Sequence, residues 1–292
     1  MRLLVFGGWG QFGSELPVAA GERHEIARPA HQEVDVTDEA AVRAAVSAHE
    51  PDVVVDAAAF HQVDRCESEP GSALQVNALG AVNVARAARR AGARAVYVST
   101  DYVFDGTKGE AYAEDDRPDP VNVYGLSKMA GERGVRLSCP DHLVVRLSGL
   151  FGHAGSSGKG GNFVETILSK AEAGERLSVV SDQRLAPTAA ADAASRLVWL
   201  LENGAPAGTY HLVNRGSCSW FEFARAILHG AGLRADLTPR GTGEQEVRRP
   251  AFSVLADTRT GPLGLDPARP WRDALDWYLA ERGGARFRRS PR

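Results

Sequence analysis

Short, largely apolar runs recur through the first half of the chain, and each ends at glycine or polar residues. They cover residues 3–6, 24–27, 51–56, 95–98 and 143–147. Strands that are buried on both faces have this continuous pattern. Helical patterns lie between them, notably at 71–91 and from Tyr124 to about Leu137, and a further short strand is expected to end before Asp35. The alternation predicts an α/β fold with a doubly wound, Rossmann-type parallel sheet, in which 51–56 is the fourth strand.

This alternation weakens after about residue 150. A glycine- and serine-rich loop runs through Gly161, and it is followed by a helix start at 162–164, a strand at 208–214 and an amphipathic helix at 220–231. We therefore predict two unequal parts. Residues 1–150 form the first domain, and residues 151–292 form mainly a smaller C-terminal substrate lobe, with segments that return to the first domain.

Composition narrows the classes of function. The formal net charge of −3 gives no electrostatic reason to expect nucleic acid or an anionic membrane surface as a partner. The N-terminal apolar run is too short for a signal peptide, and no apolar stretch approaches the roughly 20 residues that span a bilayer, so we expect a cytoplasmic protein. The three cysteines are far apart and odd in number, which argues against a disulfide framework and a zinc site, and we predict no metal.

The first strand runs directly into a glycine-rich turn, Gly7-Gly8-Trp9-Gly10-Gln11-Phe12-Gly13. Glycine at 7, 10 and 13 allows a tight turn, close approach of the backbone to pyrophosphate, and free N–H groups at a helix N-terminus. Glycine turns between any strand and helix look similar, but this one follows the first strand of an alternating pattern. We predict that the first domain binds a dinucleotide through Gly7, Gly10, Gln11, Phe12 and Gly13.

Further cofactor contacts are expected where the next strands end. The second predicted strand ends at Arg28, where NAD-binding folds usually carry an acidic residue for the ribose and where an arginine can accept a 2′-phosphate. Arg28 therefore favours NADPH, with NADH left open, and the alternative is a surface arginine before Pro29. Asp35 and the backbone of Val36 are expected beside the adenine. The small Ala57, Ala58 and Ala59 would let the cofactor pass close to the backbone.

Acid–base chemistry is concentrated around Tyr124 and Lys128. Residues four apart on a helix project from the same face, and a nearby lysine cation lowers the pKa of a tyrosine towards the working range. Thr100 ends the run at 95–98, so its hydroxyl is expected at the carboxyl edge of the sheet, where ligands bind in such folds. Thr100, Tyr124 and Lys128 are the predicted catalytic residues.

Two positions suggest what the substrate carries. Asp64, in the polar stretch after the alanines, is a candidate for orienting a sugar. Arg249, beside Arg248 in a later loop, suits a diphosphate because guanidinium groups match phosphate oxygens, although surface arginines are common.

Taken together, these segments resemble the extended short-chain dehydrogenase/reductase superfamily and, more closely, its dTDP-4-dehydrorhamnose reductase family. The order of the motifs carries the resemblance over nearly the full chain. The segments are 7–13, 57–59 with 63–67, 99–106, 122–132, 161–163, 182–188, 208–212 and 249–250.

The resemblance implies NADPH-dependent reduction of the C4 ketone of dTDP-4-dehydro-L-rhamnose to dTDP-L-rhamnose. Tyr124 would donate a proton to the ketone oxygen, Thr100 would hydrogen-bond that oxygen, and Lys128 would bind the nicotinamide ribose and lower the pKa of Tyr124. The implied substrate contacts are Val63, Asp64, Thr100, Asp101, Tyr102, Asn162, Phe163 and Arg249, of which Asn162, Phe163 and Arg249 would hold the nucleotide diphosphate.

Two departures from the family pattern bear on these expectations. Phe60-His61 stands where the family commonly has Tyr-Thr, close to the expected sugar. Some members have acidic residues after the Ala-Pro-Thr turn that join a magnesium-bridged dimer, whereas this stretch reads Ala189-Ala190-Ala191-Asp192, which argues against a metal-linked dimer; a homodimer is left open. Two other functions are alternatives: a nucleotide-sugar epimerase with bound NAD, and a non-catalytic regulatory subunit that retains the fold.

Overall fold

A six-stranded parallel sheet forms the centre of the molecule. The computed structural model describes residues 1–154, 161–243 and 246–282, so most of the loop predicted before Gly161 lies outside the described residues. The strands are β1 (Arg2–Phe6), β2 (Glu25–Ala27), β3 (Val53–Asp56), β4 (Arg94–Thr100), β5 (His142–Leu147), β6 (Leu150–Phe151), β7 (Leu177–Val180), β8 (Arg184–Leu185), β9 (Thr188–Ala189), β10 (Gly208–His211), β11 (Cys218–Ser219) and β12 (Leu237–Arg240). The central sheet has the order β10-β5-β4-β3-β1-β2. This confirms the predicted doubly wound α/β fold.

Helices cover both faces of this sheet and build the second lobe. They are α1 (Leu16–Ala20), α2 (Glu39–His49), α3 (Val63–Ser68), α4 (Pro70–Leu74), α5 (Ala81–Arg90), α6 (Val123–Ser138), α7 (Phe163–Glu172), α8 (Ala190–Glu202), α9 (Trp220–Gly230) and α10 (Trp271–Glu281). Short 3₁₀ turns cover Gly21–Arg23, Asp101–Val103 and Gly261–Leu263. The helix predicted at 71–91 is α4 and α5 joined through a π-helical turn at Gln75–Gly80.

The strand predicted just before Asp35 is absent, and the prediction was wrong. The backbone N–H groups of Glu33 and Val34 both donate to the carbonyl oxygen of Ala30, so this segment closes into turns instead of extending along β2. Pro29 lacks an N–H donor for a sheet ladder. Val53–Asp56 is therefore the third strand along the chain and pairs directly with β1.

The apolar residues of the central strands alternate between two cores. Leu3, Val5 and Val55 face one core together with α1 and α8, whereas Leu4 and Val54 face the other core together with α2 and α5. Both faces of each central strand are buried, which explains why the strands appear in the sequence as unbroken apolar runs.

The second half of the chain contributes to both parts of the molecule. Strand β10 pairs with β5 at the edge of the central sheet, and α8 packs on α1. A separate core of α7, α9, α10 and the parallel pair β7–β12 builds the second lobe. The boundary at residue 150 stays a prediction. Within the described residues, no helix is long and apolar enough to cross a membrane.

Candidate active site

The carboxyl end of β4 delivers three polar side chains to one place. β4 ends at Thr100, and a 3₁₀ turn over Asp101–Val103 follows directly. The Thr100 hydroxyl accepts a hydrogen bond from the backbone N–H of Tyr102 at 3.2 Å, which caps this turn. The strand end and its cap therefore fix Thr100, Asp101 and Tyr102 at the edge of the sheet where ligands bind in open α/β folds.

Helix α6 places Tyr124 against this edge. The Asn122 side chain caps the helix by accepting from the N–H of Gly125 at 2.8 Å. Glycine is required at 125 because a Cβ there would lie 2.0 Å from the carbonyl oxygen of Tyr102. This close approach sets the Tyr102 and Tyr124 rings edge to face, with their centroids 6.0 Å apart.

A cavity of about 160 Å³ lies between this edge and the second lobe. The sequence predicted five of its lining residues: Val63, Thr100, Asp101, Tyr102 and Tyr124. Sequence reasoning did not assign its far wall to the site, and that wall includes Gln183, Arg184, Trp220 and Ser253. Arg184 and Trp220 thus line the same cavity as the predicted catalytic hydroxyls, and the Arg184 guanidinium donates to the Glu222 carboxylate at 3.1 Å.

Asp101 is buried at the base of this cavity, and hydroxyl groups surround it. Its carboxylate accepts hydrogen bonds from Ser253 at 2.5 Å, from Ser148 at 2.9 Å and from Thr100 at 3.1 Å. Burial raises the pKa of Asp101 to about 6, although all three hydroxyls act in the opposite direction. Because the Thr100 proton is directed to Asp101, donation from Thr100 to a ketone oxygen requires this hydrogen bond to be exchanged.

Tyr124 and Lys128 lie one turn apart as predicted, but the Lys128 charge does not lower the pKa of Tyr124. Burial raises the pKa of Tyr124 above its usual value, and Lys128 is not among the charges that act on it. The Lys128 ammonium instead lies 4.1 Å from the centroid of the Tyr97 ring. Burial lowers the pKa of Lys128 to about 8, against the attraction of Asp56. The predicted lowering of the Tyr124 pKa by Lys128 is therefore wrong for this arrangement.

The predicted glycine turn has the close contacts that its motif requires. Gly7 has a φ of +71°, and a Cβ on it would lie 2.5 Å from the backbone of Ala57. A Cβ on Gly13 would lie 2.6 Å from the carbonyl oxygen of Gly7. Within the described residues, the buried side-chain oxygen of Gln11 has no hydrogen-bond partner. The turn, Gly10 and Phe12 included, thus forms a narrow cradle that fits a dinucleotide. The Gln11 oxygen is an acceptor, so it suits a hydroxyl or amide donor of the cofactor and not its pyrophosphate.

Arg28, Asp35 and Val36 lie beyond this turn. The Arg28 side chain crosses Gly8 and donates to its carbonyl oxygen at 3.3 Å. Asp35 accepts from both the N–H and the hydroxyl of Thr37, which lowers the pKa of Asp35. Val36 is buried, and its carbonyl oxygen accepts from Asn83. Ala57, Ala58 and Ala59 follow β3 as half-buried residues of little bulk.

Asn162 lies at the start of α7. Its side chain caps α7 by accepting from the N–H of Glu165, and its amide group donates to the carbonyl oxygen of Gly152 and to the Tyr278 hydroxyl. The buried side chain therefore has partners within the protein, and its contact with a diphosphate stays a prediction. Phe163 packs on Trp220, a cavity residue, at a centroid distance of 4.6 Å.

Asp64 and Arg249, which the sequence placed 185 residues apart, are brought together. The Arg249 guanidinium donates to the Asp64 carboxylate at 3.1 Å. The two predicted substrate contacts thus form an ion pair with an exposed carboxylate, and a diphosphate would compete with Asp64 for the guanidinium.

Behind the cavity, Asn77 links three elements that sequence reasoning did not connect. Its side chain accepts from the N–H of Phe60, donates to the carbonyl oxygen of Phe60 and donates to the Ser127 hydroxyl, each at 2.9 Å. Its own carbonyl oxygen accepts from the Tyr97 hydroxyl at 2.6 Å. In the sequence, the signal for Asn77 is that a polar residue stands inside an otherwise alanine-rich helical pattern.

The stretch at 189–192 also has a partner within the chain. Arg269 donates two hydrogen bonds to the Asp192 carboxylate, at 2.7 and 2.8 Å. Across the described ranges, no group of three or more His, Cys, Asp or Glu side chains could hold a metal ion.

Comparison with known proteins adds the family context. Residues 1–283 match the RmlD substrate binding domain family. The spore coat polysaccharide biosynthesis protein SpsK of Bacillus subtilis is 40% identical, over 97% of this chain and 99% of that protein. A dTDP-4-dehydrorhamnose reductase of Mycolicibacterium smegmatis is 36% identical, over 97% of this chain and 86% of that protein. The crystal structure of a dTDP-4-dehydrorhamnose reductase from Bacillus anthracis in complex with NADP is 36% identical, with a TM-score of 0.90 over 96% of this chain and 99% of that one.

Proposed function

The chain belongs to the RmlD substrate binding domain family and is an NAD(P)H-dependent oxidoreductase, and we propose that it reduces the C4 ketone of a dTDP-linked 4-dehydro-6-deoxysugar with NADPH. The proposed reaction converts dTDP-4-dehydro-L-rhamnose to dTDP-L-rhamnose. Relatives that carry the name dTDP-4-dehydrorhamnose reductase support this substrate. The cavity that both lobes line supports it as well.

One observation carries the proposal. Tyr124 and Thr100 line the same cavity as Arg184 and Trp220 of the second lobe. Reduction of a ketone needs a proton donor at the oxygen, and a nucleotide sugar needs cationic and aromatic groups at its other end. The cavity brings Tyr124 and Thr100 together with Trp220 and with Arg184, whose guanidinium would exchange its ion pair with Glu222 to bind a phosphate.

The residues that would hold the cofactor are the glycine turn, Arg28, the alanines after β3 and Lys128. When bound, the dinucleotide supplies the hydride for the sugar carbon. The cradle of Gly7 and Gly13, which a Cβ would fill, and the open acceptor of Gln11 support this assignment. Asp35 and the backbone of Val36 are proposed contacts on the adenine side.

Tyr124 is the proposed proton donor. Burial raises its pKa, which keeps the phenol protonated at neutral pH, as an acid must be before it acts. The Thr100 hydroxyl opposes that rise in the pKa of Tyr124 and donates to the buried carboxylate of Asp101. Asp101 thus sets the orientation of Thr100, and Thr100 can assist the loss of the phenolic proton once its single proton turns from Asp101 to the Tyr124 oxygen.

The substrate contacts follow from the walls of the cavity. Val63, Tyr102 and Asp101 are proposed to surround the sugar, and Phe163 supports the Trp220 ring beside it. Arg249 is proposed to bind the diphosphate in exchange for its ion pair with Asp64.

A turnover assay tests the function. Purified protein with NADPH and dTDP-4-dehydro-L-rhamnose should oxidise NADPH and yield dTDP-L-rhamnose. Absence of turnover with any 4-keto nucleotide sugar would remove the proposal and favour a regulatory subunit that retains the fold. Purified protein that carries NAD and releases an epimer without net redox would favour the epimerase.

A further inference from the structure

A large aromatic side chain stands exposed inside the glycine turn. Trp9 is 51% exposed, although it lies between glycines that would hold a pyrophosphate. The Arg28 guanidinium lies over its indole ring, 4.2 Å from the centroid. The indole Nε1–H also donates to the backbone carbonyl oxygen of Arg28 at 3.1 Å. Trp9 therefore contacts both the backbone and the guanidinium of Arg28.

Gly8 provides a third contact that fixes Arg28. The aliphatic part of Arg28 crosses this glycine so closely that a Cβ on Gly8 would lie 2.7 Å from the Arg28 Cγ. The guanidinium donates to the Gly8 carbonyl oxygen at 3.3 Å. Burial lowers the pKa of Arg28, and no carboxylate among the described residues contributes to that shift. The cation is thus held in place while its charge remains available to an anion.

We propose that Trp9 is a positioning residue for cofactor choice, holding the Arg28 guanidinium in place for the 2′-phosphate of NADPH. This inference rests on the proposed function. A guanidinium stacked on an aromatic face keeps the N–H groups at its edge free for phosphate oxygens. A side chain that is already ordered loses less rotamer entropy when the phosphate binds. NADH lacks this phosphate, so Trp9 contributes to discrimination between the two cofactors.

Calorimetric binding of two cofactor fragments tests the inference without any turnover. The full chain is titrated with 2′,5′-ADP, which carries the 2′-phosphate, and with 5′-AMP, which lacks it. Arg28→Ala should weaken 2′,5′-ADP on the order of 10- to 100-fold, since it removes a charged hydrogen-bonding partner. Trp9→Ala should weaken 2′,5′-ADP about 5-fold, the worth of an exposed cation–π contact, and leave 5′-AMP within about 2-fold. Trp9→Phe, which keeps a ring face, should retain more of the preference.

A double-mutant cycle separates positioning from direct contact. In the Arg28→Ala background, Trp9→Ala should have no further effect on 2′,5′-ADP, because its target is gone. Leu137→Ala, at a site that is 71% exposed on α6, is the matched control and should bind both fragments as the unaltered chain does. Equal weakening of both fragments by Trp9→Ala, or a full effect of Trp9→Ala without Arg28, overturns the inference.

Turnover then distinguishes the two proposals. Trp9→Ala should raise the KM for NADPH more than it raises the KM for NADH. If the fragments behave as expected but no 4-keto nucleotide sugar is reduced, the proposed function fails and the role of Trp9 stands. If the sugar is reduced and Trp9→Ala leaves the ratio of NADPH to NADH turnover unchanged, the role of Trp9 fails alone.

Discussion

Tyr124 and Lys128 stand one helical turn apart, but they meet different surroundings. Tyr124 faces the cavity beside Thr100, whereas the Lys128 ammonium lies against the Tyr97 ring and near Asp56. The phenol is therefore the group that can reach a ketone, and the Lys128 ammonium would bind the cofactor ribose in the proposed function. Tyr124 and Lys128 can therefore be tested by separate experiments, the first by substitution and the second by the pH dependence of activity.

Replacing Tyr124 by Phe removes one hydroxyl and keeps the ring. Turnover should fall by a factor on the order of 100 or more, because the general acid is lost, and the binding of 2′,5′-ADP should be retained. Steady-state kinetics with calorimetry checks both parts. Full activity in this variant would refute the assigned proton donor.

Lys128 should set the alkaline limit of activity. Its pKa is lowered to about 8, so its charge is lost as the pH rises through that value. The ratio kcat/KM for NADPH should then fall about tenfold per pH unit above pH 8. Unfolding does not explain such a fall: between about 8 and the usual 10.5 the unfolded chain binds more protons at this group, so its contribution to stability rises with pH. A flat profile to pH 10, with melting curves recorded at each pH, would contradict the assignment.

Asp101 should set the acidic limit of activity. Its pKa is about 6, and protonation removes the negative charge that strengthens the hydrogen bond from Thr100. Because the Ser253 hydroxyl lowers the pKa of Asp101, Ser253→Ala should move the acidic limb of the kcat profile to higher pH. Ser253→Thr keeps the hydroxyl, so its acidic limb should lie at the same pH as that of the unaltered chain. If the acidic limb stays in place in Ser253→Ala, or moves to lower pH, Asp101 does not set the acidic limit of activity.

The spacing of the residues made part of this site predictable. Tyr124 and Lys128 are recognisable because a helix fixes residues four apart, and Thr100 because it ends a buried run. Ser148 and Ser253 lie 47 and 152 residues from Asp101, and only the folded chain brings them together. The capping of α7 by the Asn162 side chain was also not foreseen, because capping depends on where the helix begins.

At the scale of elements, the packing of α6 against the π-helical turn decides where Tyr124 lies. Gly131 of α6 faces that turn, and a Cβ there would lie 2.2 Å from the carbonyl oxygen of Asn77 and 2.3 Å from the Tyr97 hydroxyl. The sequence predicted one continuous helix over 71–91 because its apolar spacing is helical throughout. The π turn arises where Asn77 bonds to residues from other elements, and periodicity contains no sign of that.

Gly131→Ala tests this contact. The methyl group should force α6 and the π turn apart and lower the free energy of unfolding by about 1–3 kcal/mol, the usual cost of overpacking. Gly71→Ala in α4 is the matched control. A Cβ at 71 meets nothing within 4 Å, and alanine is the better helix former, so stability should rise by up to about 1 kcal/mol. Denaturant unfolding of both variants measures the difference, and equal stability would show that the packing of α6 is loose.

At the scale of the whole molecule, the site exists because a cavity forms between residues from distant parts of the chain. The alternation of buried-strand and helix patterns along the chain was enough to predict the α/β fold and the parallel sheet, because each strand is a continuous apolar run. The far wall of the cavity comes from β8, from the start of α9 and from the loop around Ser253, which only the folded chain brings together, so it does not follow from local pattern. Arg184 and Trp220 were missed for that reason.

The reduction of dTDP-4-dehydro-L-rhamnose tests the central claim most directly. NADPH oxidation is followed optically while the nucleotide sugars are separated and quantified. We expect one dTDP-L-rhamnose formed per NADPH oxidised, with NADH used less well and with turnover lowered by a factor on the order of 100 or more in Tyr124→Phe. Unchanged NADPH in the presence of this substrate and of every other 4-keto nucleotide sugar tried would contradict the central claim.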